Sequence, residues 1–292
     1  TLNEYQVQKV FEGKKLPAEE SQIKEVKNYL MALKLVDRLV QKKSFFTEKE
    51  ILGIHKIVVS GLINPQNIGV FRKVPVYVVN VLSTGEERIV YTPPIAAKTP
   101  SLIKELLFWL KKNQHLHPII RAGLFHYQFE TIHPFTDGNG RVGRLLTLLH
   151  LYQSGWDFRR SLVLEDYYHR DRKEYYWHLQ TGENYLSRNK ADLTNWLDYF
   201  VAGFLDEAER VKEKIIMLKA VGKKAVLGKT LDQDELKIID FLTTVGRITS
   251  ADVVDILSVP KRTAQSKLKR LEESGLLVKA GRGPATAYLL KK

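Results

Sequence analysis

The sequence predicts a mainly α-helical protein with one β-hairpin, followed by a small C-terminal α+β unit. Three observations carry that expectation. Apolar residues recur at helical spacing over most of the chain up to Leu205. Two β-prone runs, Val74–Val79 and Arg88–Tyr91, flank a Gly-containing turn at Ser83–Gly85. Near the C-terminus the pattern shortens to three helical segments and two strand-like runs.

Taken in order, Thr1–Gly13 reads as a short helix burying Val7, Val10 and Phe11. Glu19–Lys42 follows as a longer amphipathic helix through Ile23, Val26, Leu30, Leu33, Val36, Leu39 and Val40. Thr47 stands before the next helix with Glu50 at the capping-box offset. The hairpin comes next, then a helix over Leu102–Lys112. Ile119–Ile132 and Val142–Tyr152 are two further helices. Arg170–Leu179 is a helix dense in aromatics, for which a core stripe is the default explanation. Leu193–Leu205 is apolar nearly all round and reads as a buried core helix. Lys212–Lys229 is lysine-studded and reads as a linker. Asp232–Leu242, Ser250–Leu257 and Lys261–Ser274 are the last helices; Leu276–Val278 and Thr286–Leu290 are strands around Gly281–Pro284. The expected organisation is a first domain over 1–210 with its core at about 51–205, a linker helix over 211–229 and a second domain over 230–292.

Length and composition suit a packed globular protein. No run of eighteen apolar residues and no signal-like start are present, so no membrane association is expected and a cytoplasmic location is. The absence of cysteine excludes disulfides and thiolate metal sites. A formal net charge of +13 suggests affinity for polyanions, unless it is only a solubilising surface.

The chemistry concentrates in His133-Pro-Phe-Thr-Asp-Gly-Asn-Gly-Arg-Val-Gly-Arg144. Pro134 and the Asp137-Gly-Asn-Gly140 run forbid continuous helix between the two flanking helices. A second helix opening at Gly140-Arg141 presents unpaired backbone N–H groups and positive potential to an anion. Arg141 and Arg144, three apart, share a face near that end, which suits a polyphosphate. His133 can take a proton near neutral pH, and Asp137 is a hard oxygen ligand suited to phosphate-bound Mg²⁺. Gly138 and Gly140 let backbone approach a ligand, while Asn139 can donate and accept. Taken singly, His133 or Gly-x-Gly describes an ordinary interhelical loop. The full set at this spacing implies transfer from a nucleotide to an acceptor whose proton His133 removes. A metal triad of His126, His133 and Asp137 is a rival, but seven helical residues separate the two histidines by about 10 Å. The remaining histidines show no metal-like spacing and read as structural or surface residues.

This run matches without a gap the pattern H-P-F-x-D-G-N-G-R-x-x-R, and the chain resembles the Fic family, whose members mostly transfer AMP from ATP to a protein hydroxyl. The resemblance implies a Fic-type helical bundle with a β-hairpin flap. It implies ATP and Mg²⁺ as cofactors, with Asp137 as metal ligand and the phosphates over Gly138, Asn139, Gly140 and Arg141. Arg141 would steady the departing diphosphate and Arg144 the γ-phosphate, while Phe135 anchors the loop. The flap, here Val76, Tyr77 and Val78, would align a target segment as an added strand; a purely structural hairpin is the other reading. An Arg-x-x-Tyr-Tyr segment beside the base is matched by Arg172, Tyr175 and Tyr176, with Asn184 as a further nucleotide contact. The partner implied is a target protein presenting a Tyr, Ser or Thr hydroxyl, self-modification included. Transfer of UMP is an alternative. Transfer of phosphate is not favoured, because that branch carries Lys where Gly140 stands.

Many relatives also carry an inhibitory helix, S/T-x-x-x-E-G/N. The nearest approach here, Gln8 to Gly13, lacks the hydroxyl, and Thr1-Leu2 resembles sequence that directly follows such a helix. The chain is therefore expected to start just past its own brake, with Arg144 unpaired. Equal self-modification by a longer form would contradict this. The C-terminal helices and hairpin resemble a winged helix-turn-helix. Lys261, Arg262, Lys267 and Arg282 would be its DNA contacts. Such modules also bind proteins or dimerise, so a homodimer is expected, and a DNA-binding regulator with a nucleotide-sensing core is the alternative from another class.

Overall fold

The computed structural model describes residues 20–42, 45–81, 84–156, 172–226, 231–245, 247–281 and 286–291. The expected helix over Thr1–Gly13 and the residues Thr1, Leu2 and Arg282 lie outside them, as does the side chain of Arg172. The chain divides into two compact units, 1–208 and 209–292.

The first unit begins with helices α1 (Glu20–Val40) and α2 (Glu48–Val58). Thr47 caps α2 in the expected box: its backbone N–H donates to Glu50 Oε2 at 2.9 Å. An antiparallel hairpin follows, β1 (Val78–Val81) with β2 (Glu87–Tyr91). Its first strand opens four residues later than the β-prone run, because Pro75 has no N–H for a ladder and the register shifts between Val78 and Val79. Val76 and Tyr77 therefore precede the strand, with Tyr77 exposed.

Helices α3 (Thr99–Lys112), α4 (Pro118–Ile132) and α5 (Asn139–Gln153) complete the main layer. One apolar core unites them with α1 and α2 through Val36, Ile51, Ile54, Ile103, Phe125 and Phe129. A second core forms where α4 meets α6 (Arg172–Leu179) and α8 (Thr194–Val226), around Trp196, Phe200 and Tyr175. The short α7 (Tyr185–Arg188) lies between them in sequence. The all-round burial expected of Leu193–Leu205 is corrected. The buried face is Trp196, Tyr199, Phe200, Gly203 and Phe204, while Val201 and Leu205 are exposed, since α8 packs on one side. The expected linker helix is the continuation of this same helix to Val226; neither Gly203 nor Gly222 interrupts it.

Beyond the end of α8, the described residues of the second unit form three helices and a hairpin: α9 (Gln233–Val245), α10 (Ser250–Leu257), α11 (Lys261–Glu273), β3 (Leu277–Ala280) and β4 (Ala287–Leu290). Its own core gathers Ile238, Leu242, Val253, Leu268 and Leu271, and Ile248 bridges to Tyr288 beside the hairpin.

Candidate active site

The loop between α4 and α5 brings His133 to Arg144 together as one structure. α4 ends because Pro134 follows, and the residue before a proline avoids the right-handed helical region. His133 adopts φ 50°, ψ 62°, left-handed backbone that costs a non-glycine residue about 1 kcal/mol or more. Two carbonyls hold it there: Arg72 Nε donates to His133 O at 2.8 Å and Arg72 N to Pro134 O at 2.9 Å. The imidazole Nδ1 lies 3.3 Å from the Glu130 carbonyl, which can only accept, so Nδ1 carries the proton and Nε2 the lone pair. Burial depresses its pKa to about 4; the Glu130 carbonyl opposes this, and the Arg72 and Arg188 guanidinium groups reinforce it. At neutral pH the ring is a neutral base.

Beneath the loop, Phe135 is fully buried and stacks on His55 at 3.7 Å between ring centres. His55 Nδ1 accepts from Gly69 N at 3.0 Å, so its Nε2 donates to Asp137 O at 3.1 Å. Asn139 is buried, and its amide spans the loop: Oδ1 accepts from Phe135 N at 2.8 Å and Nδ2 donates to Phe135 O at 2.9 Å. Its side chain is thus turned inward, leaving backbone to face a ligand. Gly138 caps α5 at φ 83°, where a Cβ would also come within 2.7 Å of Val59. With the loop so braced, the first backbone N–H groups of α5 are the donors from which an anion cradle would be built.

Charged side chains ring the cradle. Arg141 Nη2 meets Asp137 Oδ1 at 3.0 Å and Nη1 meets Glu25 Oε1 of α1 at 2.9 Å. Asp137 remains half exposed. Among the described residues no group of three or more His, Asp or Glu side chains could hold a metal by themselves. A single exposed carboxylate fits Mg²⁺, which takes one or two carboxylates and completes its shell with phosphate oxygens and water. Behind α5, the buried Glu130 has its carboxyl raised to about 7 by burial, against the pull of Arg144 and Arg188. A Cβ on Gly143 would collide with Glu130 Oε1, and that oxygen has no hydrogen-bond partner.

The aromatic segment divides. Tyr175 is buried, its hydroxyl 2.8 Å from His126 Nε2, while Tyr176 is 58% exposed. His126 Nδ1 lies 3.0 Å from Thr147 Oγ1, so both its ring nitrogens are engaged within the core. Asn184 caps α7 through Ser187 N at 3.0 Å and bridges to Thr92 just after β2. Arg188 lies over the Tyr91 ring at 3.5 Å, and Tyr91 donates to Thr131 O at 2.6 Å, fastening hairpin to α4. In the second unit Lys261 and Arg262 are exposed. Lys267 is compensated by Asp232 and Asp234 at 3.0 and 3.1 Å.

Arg72, Glu130, Arg188 and Glu25 bear on the site without any sequence signal of their own. The one hint was position: Arg72 ends the Gly69-Val-Phe-Arg72 run where the helical pattern breaks.

Known proteins resemble this chain in sequence and in fold. Residues 45–151 match the Fic/DOC family. A protein adenylyltransferase Fic of Culex quinquefasciatus is 33% identical over 146 residues, 49% of this chain and 26% of that protein. One of Nematostella vectensis is 34% identical over 156 residues, 52% of this chain and 33% of that protein. The matched stretch thus spans between about a quarter and a third of the length of these curated relatives. The crystal structure of a Fic family protein from Desulfovibrio desulfuricans is similar over 100% of this chain and 82% of its own, with TM-score 0.60 and 26% identity. Fic-1 from C. elegans is similar over 76% of this chain and 60% of its own, with TM-score 0.58 and 26% identity. The stretch that holds this braced loop, residues 45–151, is a Fic domain of the Fic/DOC family.

Proposed function

We propose that the chain is a protein adenylyltransferase that moves AMP from ATP to a hydroxyl side chain of a target protein. What supports this reading is the loop that sets His133, its Nδ1 on the Glu130 carbonyl, six residues ahead of the α5 N-terminus at Asn139. ATP lies with its phosphates over the backbone of Gly138 to Arg141. Asp137 would hold Mg²⁺ on the triphosphate, where the ion supplies charge neutralisation. His133 Nε2 takes the proton of a Tyr, Ser or Thr hydroxyl. The oxygen bonds to the α-phosphorus, the bond from that phosphorus to the β-phosphate oxygen breaks, and diphosphate leaves. The imidazolium then returns its proton to solvent. Arg141 steadies the departing diphosphate and Arg144 the γ-phosphate; positioning and charge stabilisation supply most of the rate. Tyr176 offers an exposed ring face to the base, and the exposed Tyr77 and Val79 offer an edge to the target strand.

The test is incubation with ATP labelled at either the α- or the γ-phosphorus. Label retained from the α-position alone supports AMP transfer; retention from the γ-position overturns it. His133→Ala should lower incorporation at least about a hundredfold, the usual scale of general-base loss, while ATP affinity stays within about twofold. UTP labelled at the α-position tests the uridylyl alternative. A second reading, DNA binding by the C-terminal unit, draws on the exposed Lys261 and Arg262 of α11. A salt-dependent shift of duplex DNA, lost in the Lys261→Glu/Arg262→Glu double variant, would support it.

A further inference from the structure

His133 keeps a left-handed backbone ahead of a proline, and such a conformation persists only where neighbours over-determine it. The neighbour that does so is Arg72. Its Nε and its backbone N–H fix two consecutive carbonyls, those of His133 and Pro134. The rest of the guanidinium turns to the hairpin: Nη1 donates to Val74 O at 3.3 Å and Nη2 to Pro94 O at 2.5 Å. Val74 precedes β1 and Pro94 follows β2. One cation therefore joins both roots of the hairpin to the backbone of the base. Arg72 is only 4% exposed, and among the described residues it makes no ion pair with a carboxylate. A buried guanidinium is costly to desolvate, and here only carbonyls offset it. An arginine so placed neutralises no acid; its fork is spent on placing backbone.

We propose that Arg72 is a positioning residue for the transfer: it sets the aim of His133 and ties that aim to the hairpin, so that a strand docking there meets a base already in place. The reaction named rests on the adenylyltransferase reading; the placement of His133 does not. Lysine keeps the charge but cannot fork to three carbonyls, so it separates geometry from charge.

The test uses the whole chain with Arg72→Lys and Arg72→Gln, and three measurements: ATP affinity by calorimetry, α-label incorporation, and the titration of His133 by NMR, assigned against His133→Ala. Arg72→Gln should leave ATP affinity within about twofold and lower kcat at least about thirtyfold with KM for ATP unchanged, within the range that misplaced catalytic groups cost. Its His133 titration should move upward towards the ordinary imidazole value, since a nearby cation is gone. Arg72→Lys should share the loss of kcat while keeping most of the titration, and it carries the test alone if the glutamine variant does not fold. The proposal is overturned if both variants transfer at the wild-type rate, or if kcat falls only in proportion to ATP affinity. If the wild-type chain binds ATP but transfers no label, the activity reading fails. The His133 titration and chemical shift still decide the positioning claim: unchanged in both variants, they end it.

Discussion

His133 is placed to trade basicity for availability. A lone imidazole titrates near 6.5, but burial beside Arg72 and Arg188 brings this one to about 4. Its neutral form, the one that accepts a proton, is complete above that value and disappears below it. Transfer should therefore hold nearly level as pH falls from 7.5 to about 5 and decline only through about 4, roughly tenfold per unit beyond it. Initial rates of α-label incorporation at fixed ATP would check this; a half-fall near 6.5 would contradict the placement. The ring itself was legible in the sequence, because its partners Asp137 to Arg144 are contiguous with it. The residues that tune it were not. Arg72 and Arg188 read as surface charge in a basic chain, and they reach His133 across 61 and 55 positions only when the hairpin and α7 fold against α4. Glu130 sits inside an otherwise apolar helical stripe, where the pattern marks a face but not a buried carboxyl.

At the scale of elements, the start of α5 is contested. Arg141, proposed to meet phosphate, already holds Glu25 of α1 and Asp137 of its own loop. Glu25 is 44% exposed, and pairs of that kind contribute no more than about 1 kcal/mol. Glu25→Gln should then leave Tm almost unchanged but tighten ATP binding by up to about fivefold, read by calorimetry. Weaker binding would mean that Glu25 presents Arg141 to the phosphate instead of competing for it. Strong periodicity predicts α4 to within a residue, Ile119–Ile132 against Pro118–Ile132, and α2 begins directly after its expected cap, Thr47. The hairpin was displaced because β-propensity at Val74–Val79 cannot outweigh the missing donor of Pro75. The apolar richness of Leu193–Leu205 overstated burial, since composition does not say on how many sides a helix is packed.

At the scale of the molecule, no described helix is long and apolar enough to cross a membrane. The basic surplus is partly answered within the second unit, by Asp232 and Asp234 at Lys267 and by Glu235 at Arg270. In the first unit, Glu130 Oε1 is buried without a hydrogen-bond partner. The Glu130 carboxyl, raised to about 7 and flanked by Arg144 and Arg188, is near half-protonation in neutral solution. Triphosphate arriving at Arg144 would cancel part of the positive field that favours its ionised form, so the carboxyl should draw in hydrogen ions as nucleotide binds, up to about half of one per molecule near pH 7. Calorimetry in two buffers of different ionisation enthalpy reads this directly: the apparent heats should diverge, and identical heats would refute it. A cell's acidity would then weigh on how much of this protein is loaded, quite apart from how fast it reacts.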